Sequence, residues 1–344
     1  VERVTPNVDL PVVEEHGVGW AEMIELSGRA EQGIEYLGNE GWATSAGSRV
    51  SSSEWSSPLE STTSALTFYD GNWSRDPERS VIYEGTDNFV LNGTDYNVLH
   101  IGDIAHDDQF VYAPLQLDES ARPDGNADVE YIARYDTAGN RDWEWGIEPW
   151  DCDGLSGVAL SGLEFYEGSL YAAEYVKSTT QGSWNEARIF KFRISDGNLL
   201  DTYHLDVPYV NGLELEEISG LPFAHISFGG SSRDEKAPVG VGDGIAGWGA
   251  VCVVPFAELE TAQTSDSAIS VAASLDEYAY SYRSKPHAEG LTFDGNGNLW
   301  VSRSDSVARL DTSAIAYVFP EVEVEWDGEF IADGSTVLTT TDGT

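Results

Sequence analysis

The sequence predicts an all-β fold, a β-propeller built from four-stranded blades. Three observations lead there: an inner-strand pattern that recurs five times, hairpin turns rich in Gly, Asn and Asp, and a near absence of helical periodicity. Each copy opens with a small or polar residue and a Gly or Asp. An apolar–x–apolar strand follows, then a short turn and a second strand that carries an aromatic.

The elements follow in chain order. Residues 1–19, with Pro6 and Pro11, are expected to form an extended arm. Trp20 to Leu26 is expected to be an outer strand. A propeller's last blade is usually completed by a strand from the other terminus, so this segment is assigned to the blade that opens near Glu289. The first copy runs from Gln32-Gly33-Ile34-Glu35-Tyr36 to Trp42, the second from Gly102-Asp103-Ile104 to Phe110-Val111-Tyr112. The third runs from Ser161-Gly162-Leu163-Glu164-Phe165 to Tyr171, the fourth from Asn211-Gly212-Leu213 to Phe223, and the fifth from Glu289-Gly290-Leu291-Thr292-Phe293 to Trp300. Third strands at Leu66 to Tyr69, Tyr131 to Tyr135 and Ile189 to Ile194 end in Asp70-Gly71-Asn72, Asp136 to Asn140 and Ser195 to Asn198. These residues supply positive φ or a side-chain-supported bend.

The spacing gives five blades, or six if another lies within 228–285, and Pro255 to Thr264 is the one helical candidate. The C-terminal stretch alternates through Val322, Val324 and Trp326 before an Asp-Gly turn and a Thr-rich end. The expected organisation is an arm over 1–19, a propeller over 20–318 and a hairpin or stalk over 319–344.

The chain carries 60 acidic and 18 basic residues, a formal charge of −42, yet 41% of it is hydrophobic and 11% aromatic. That is the material of a core and not of a disordered acidic chain. Only four of the basic residues are lysines: Lys177, Lys191, Lys236 and Lys285. Self-repulsion on this scale opposes compaction in dilute buffer. It is screened in molar salt, where the Debye length falls to about 3 Å. In its acidity and scarcity of lysine the chain resembles haloarchaeal proteins. No Lys/Arg cluster exists to neutralise phosphates, so nucleic acid is not an expected partner, and no apolar stretch is long enough to span a membrane.

Glu289-Gly290-Leu291, Asn211-Gly212-Leu213 and the run Asp294-Gly295-Asn296-Gly297-Asn298-Leu299-Trp300 resemble propellers of the senescence-marker/gluconolactonase type and the related NHL group. Inner strands enter a propeller's central channel together, so residues far apart in sequence meet at its mouth. The channel-mouth candidates are Gln32, His100, Asp103, Ser161, Asn211, His287 and Glu289. The resemblance implies a cation held by a Glu, Asn and an Asp. Glu289, Asn211 and Asp103 are the donors assigned here, for a hard ion such as calcium, with His100 or His287 as ligand or general base. The alternative is that these groups satisfy strand ends around a watery channel.

No nucleophile elbow, zinc motif or phosphate loop is present, and no catalytic residue is assigned. Cys152 and Cys252 form one disulfide or remain two thiols; the sequence leaves both open. Asn72 and Asn92 begin N-glycosylation sequons. Trp55, Trp73, Trp143, Trp145, Trp150, Trp184 and Trp248 fall outside the strand pattern, as packing between blades or as a stacking surface for a ligand.

The first functional expectation is therefore a non-catalytic recognition or attachment module of a halophilic organism or its virus. It is expected outside the cell, on a cell surface or on a virion, meeting protein or glycan through its loops, alone or as a homo-oligomer or part of a larger assembly. The alternatives are a metal-dependent lactonase- or esterase-like hydrolase and a structural virion or surface-assembly protein.

Overall fold

The computed structural model describes residues 20–26, 32–47, 63–84, 89–119, 129–149, 159–176, 187–205, 210–218, 220–229, 249–269, 279–282, 289–303, 306–310, 325–326 and 329–330. They form a five-bladed β-propeller. β1 (Trp20–Glu25) belongs to the last blade. Blade one is β2 (Gly33–Tyr36), β3 (Trp42–Ala46), β4 (Thr63–Tyr69) and β5 (Arg75–Glu84), in that order from the axis outward.

Blade two has an interrupted innermost lane. β7 (Thr94–Ile101) and β8 (Ala105–His106) pair with the same edge of β9 (Phe110–Glu119), and Gly102 to Ile104 break the ladder between them. β6 (Phe89–Leu91) forms a hairpin with β7, and β10 (Val129–Asp136) and β11 (Arg141–Ile147) complete the sheet outward.

Blade three is β12 (Leu160–Tyr166), β13 (Ser169–Glu174), β14 (Ala187–Arg193) and β15 (Leu199–Leu205). Blade four is β16 (Val210–Ile218), β17 (Leu221–Gly229), β18 (Gly249–Pro255) and β19 (Ala279–Tyr282), with the short helix α1 (Phe256–Leu259) after β18. Blade five is β20 (Leu291–Phe293), β21 (Leu299–Arg303) and β22 (Ser306–Leu310), and β1 pairs antiparallel with β22 to complete it. The stretch 228–285 thus supplies the outer strands of blade four and not a sixth blade. A separate two-residue ladder joins Glu325–Trp326 to Glu329–Phe330.

The core consists of wedges between neighbouring blades. Tyr171, Ile189 and Tyr203 of blade three meet Leu213, Ile226 and Val254 of blade four, and Trp42 and Tyr69 of blade one meet Trp300 and Val307 of blade five. Three turns share one device. Asp70, Asp136 and Asp294 each accept backbone N–H groups two and four residues on, at 2.8–3.0 Å, which fixes the bend before the chain returns as the next strand. Asp294 also accepts the Trp300 indole N–H at 3.0 Å and two bonds from the Asn298 amide. The Asp294 to Asn298 run is thus a fully satisfied turn.

In an antiparallel blade, the turns joining first to second and third to fourth strands share one face. The second-to-third links and the passages between blades share the other. The first face carries short turns such as Tyr36 to Trp42, Tyr166 to Ser169, Ile218 to Leu221 and Phe293 to Leu299, with the α1 segment as its one long connection. The strand ends on the second face are separated in sequence by the stretches 47–62, 120–128, 148–159, 175–186 and 230–248. The stretch 256–278 apart, the long separations in sequence therefore fall between strand ends on the face where the inner strands begin.

Candidate functional site

The five inner-strand starts surround one carboxylate. Gly occupies the second position of the repeat in four blades, as Gly33, Gly162, Gly212 and Gly290, whereas blade two has Asp103 there. The break between β7 and β8 lets the Asp103 side chain occupy the axis. Its Oδ1 accepts the N–H groups of Ile104 (3.0 Å) and Ile34 (3.3 Å), and its Oδ2 accepts those of Leu213 and Leu291 (3.4 Å each). Three of the four donors belong to other blades. A Cβ on Gly212 would come within 2.9 Å of Oδ2, one on Gly33 within 2.8 Å of the Asp103 Cα, and one on Gly290 would collide with Oδ1. The glycines are what an axial carboxylate needs so that backbone can approach it.

Each joint between neighbouring blades carries a hydrogen bond near this level. Ser45 Oγ donates to the Gly102 carbonyl (2.5 Å), and the Asp103 N–H donates to the Ser161 carbonyl (2.5 Å). Ser161 Oγ donates to Val210 (2.5 Å), Ser227 Oγ to Glu289 (2.5 Å) and Ser302 Oγ to Gln32 (3.0 Å). Gln32 and Glu289 thus enter the ring of contacts through their main-chain carbonyls, and Ser161 through both its carbonyl and its hydroxyl. Asn211 is buried on β16. His100 lies on β7 opposite Gln116, its backbone against Gly47, two residues before the ring of strand starts. His287, Cys152 and the side chain of Cys252 lie outside the described residues. Asn72 sits exposed in the β4–β5 turn. Asn92, exposed in the β6–β7 turn, donates to Glu148 Oε1 at 3.3 Å.

Two residues beyond the Gly/Asp position lies a second layer. There the repeat places Glu35, Glu164 and Glu214, with Ala105 and Thr292 in the remaining blades. All three glutamates are buried, and each offers a carboxylate oxygen within 4.8 Å of the others. Glu214 Oε1 accepts the Phe293 N–H of the next blade at 3.2 Å, and Thr292 Oγ1 does the same for Tyr36 at 3.3 Å. The position therefore stitches neighbouring blades as well as facing the axis. Glu35 Oε2 and Glu214 Oε2 are buried without a hydrogen-bond partner.

Burial drives the acidity of this layer. It lifts Glu35 well above the carboxylate range, helped by the charges of Glu214 and Asp103 and opposed by a hydrogen bond from Thr292. It lifts Glu164 likewise, helped by Glu214 and Glu35, and pushes Glu214 up to about 8 against the bond from Phe293. Asp103 is also raised by burial, but the backbone N–H groups of Ile104, Ile34 and Leu291 favour its ionised form. His225, opposite Glu214 on β17 and wholly buried, has its pKa pulled down to about 3 by burial. It is a neutral ring and gives no counter-charge. Among the described residues no ion pair reaches any of these four carboxyls.

The glutamate layer is not among the candidates that the residues flanking the glycine suggest. The signal was there: Glu recurs in the same slot of three apolar inner strands, where surface solvation cannot explain it.

Fold and site together define a five-bladed propeller with an axial cluster of buried carboxyls. No family model and no curated protein matches the chain. Among solved structures it is similar to the Dos1 propeller, at 8% identity and a TM-score of 0.32 over 78% of this chain and 64% of that one. It is also similar to the phage phi92 endosialidase, at 12% identity and a TM-score of 0.34 over 84% of this chain and 41% of that one. It spans less than two thirds of either.

Proposed function

We propose that the chain is a non-catalytic recognition or attachment module of a halophilic organism or its virus, which meets a glycan or protein through the loops of one propeller face. The observation that carries this reading is the unequal length of the connections. Evolution of a binding surface elaborates loops on a rigid scaffold, and here the elaboration falls on one face while the other keeps mostly tight turns. Four of the five long stretches between strand ends of that face contain a tryptophan, Trp55, Trp150, Trp184 or Trp248, a side chain that offers large stacking area at low entropic cost. The acidic surface and near-absence of lysine support a setting of high salt outside the cell, on a cell surface or on a virion. The axial glutamates are less than a tenth exposed, too enclosed for a sugar or lactone to reach, which favours recognition over catalysis.

The test is binding of the labelled chain to a glycan array and to intact haloarchaeal cells in about 3 M salt, where surface charge is screened. Variants in which 47–62 or 230–248 is replaced by a two-residue turn are expected to lose binding while keeping the parent's far-UV circular dichroism. Binding that survives both replacements, or no binding to any cell surface or glycan, would refute the proposal.

A further inference from the structure

The glutamate layer is a poor solution for a protein left to itself. Three carboxyls meet within 4.8 Å, each less than a tenth exposed, and no lysine or arginine pairs with them among the described residues. Burying a carboxylate without a partner is costly, and burying several side by side is more so. Hydrogen bonding absorbs the charge only in part: Glu35 takes a bond from Thr292, Glu214 takes one from the Phe293 N–H and one from the Glu164 carboxyl, and Glu35 Oε2 and Glu214 Oε2 stay buried without a partner. His225, the cross-strand neighbour of Glu214, is held neutral by burial.

We propose that Glu35, Glu164 and Glu214 hold one divalent cation, calcium, on the propeller axis. The donor set is all oxygen and formally trianionic, which suits a hard cation and not a thiophilic or imidazole-seeking one. Calcium–oxygen bonds are about 2.4 Å long, so oxygens sharing one ion stand no more than about 5 Å apart, a limit that the three carboxylate oxygens meet, each lying within 4.8 Å of the others. Carboxylates bind calcium in mono- or bidentate fashion, so three can supply most of its six to eight oxygens. The three ligands come from blades one, three and four, so the ion would join strands that are distant in sequence at the point where the ring closes on itself. This proposal is independent of what the loop face binds. It also differs from the channel-mouth set of Glu289, Asn211 and Asp103, which lies at the neighbouring level of the inner strands.

The experiment uses the full chain stripped with a chelator, dialysed in about 3 M KCl to suppress binding to the acidic surface, and titrated calorimetrically with calcium chloride at neutral pH. The expected result is one calcium per chain, an upward shift of the thermal midpoint on adding calcium, and at least a tenfold weaker affinity in Glu164→Gln. Glu40→Gln, at an exposed turn, is expected to bind as the parent does. Because Glu164→Gln relieves buried like-charge repulsion, its calcium-free midpoint is expected to equal or exceed the parent's. Should that variant fail to fold, Glu35→Gln is read in its place. A parent that takes up no calcium and shows no midpoint shift at about 10 mM, well above the range of even weak extracellular calcium modules, overturns the proposal, and so does unchanged affinity in Glu164→Gln.

Discussion

Replacing Asp103 by Asn preserves the shape of the axial side chain and removes one of its two acceptors. In the parent, Oδ1 serves Ile104 and Ile34 and Oδ2 serves Leu213 and Leu291, all as acceptors. Whichever pair the Asn oxygen faces, its NH₂ confronts the other pair of N–H donors. Two buried backbone donors are left without a partner, at about 1–3 kcal/mol each. Against this stands the relief of a buried charge that interacts unfavourably with Glu214 and Glu35. The donors outweigh that relief if Asp103 is ionised, as its surround of N–H groups favours, and the net loss is expected to be about 3 kcal/mol. Urea unfolding followed by tryptophan fluorescence in high salt measures it as a lower midpoint at unchanged m. An unchanged or raised midpoint would mean that Asp103 is protonated in the folded state and that its acceptor role is misread.

The remaining predictions concern acidity, packing and salt. Glu214, with a folded pKa of about 8 against an ordinary 4.5, is protonated in both the folded and the unfolded chain well below pH 4.5. As pH rises from 4.5 the unfolded chain ionises first, so stability drains at about 1.4 kcal/mol per pH unit, reaching about 5 kcal/mol by pH 8. In chelator, the stability of Glu214→Gln relative to the parent should therefore grow from pH 5 to 8, and parallel pH profiles would refute the assignment. Gly290→Ala drives a methyl into Asp103 and within 2.6 Å of the Gly33 Cα, where no flexible side chain can yield; it should cost about 3 kcal/mol or more. Gly295→Ala meets only the Tyr36 ring at 3.3 Å and should be close to neutral, so equal effects of the two in thermal unfolding would contradict the crowding argument. Lowering salt from about 3 M to 0.1 M lengthens the Debye length to about 10 Å and should expand the chain by light scattering and circular dichroism; an unchanged radius and spectrum would sink the high-salt reading.

The fold was legible because its rules are local and repeated. A Gly-apolar-x-apolar start and an Asp-led turn recur, and each copy carries the same instructions for pleat and bend. Closure by Trp20 to Leu26 was legible from the topology of propellers. Blade two was read less fully, since the interruption at Gly102 to Ile104 looks like another copy of the strand start until its ladder is seen broken. The site was half legible. Asp103 was singled out for the right position but as a side chain open to a ligand, whereas the structure surrounds its carboxylate with main-chain donors. Glu35, Glu164 and Glu214 were overlooked because alternation makes the middle residue of an apolar–x–apolar strand look solvated. In an inner strand both sides of the sheet are enclosed, and the polar slot faces the axis.

The pairing of β1 with β22 ties Trp20 to Leu310, residues from near the two ends of the propeller. A ribosome makes β1 before blades one to four and β22 after them, so β1 must wait through the synthesis of four blades for its mate. Until then β1 is an unpaired strand and blade five does not exist, and the ladder that shuts the ring is among the most non-local contacts in the molecule. Folding of such a ring is expected to be slow and to end with this single event, and any chain released before Leu310 exposes two raw sheet edges at once, ready to pair with a neighbouring copy.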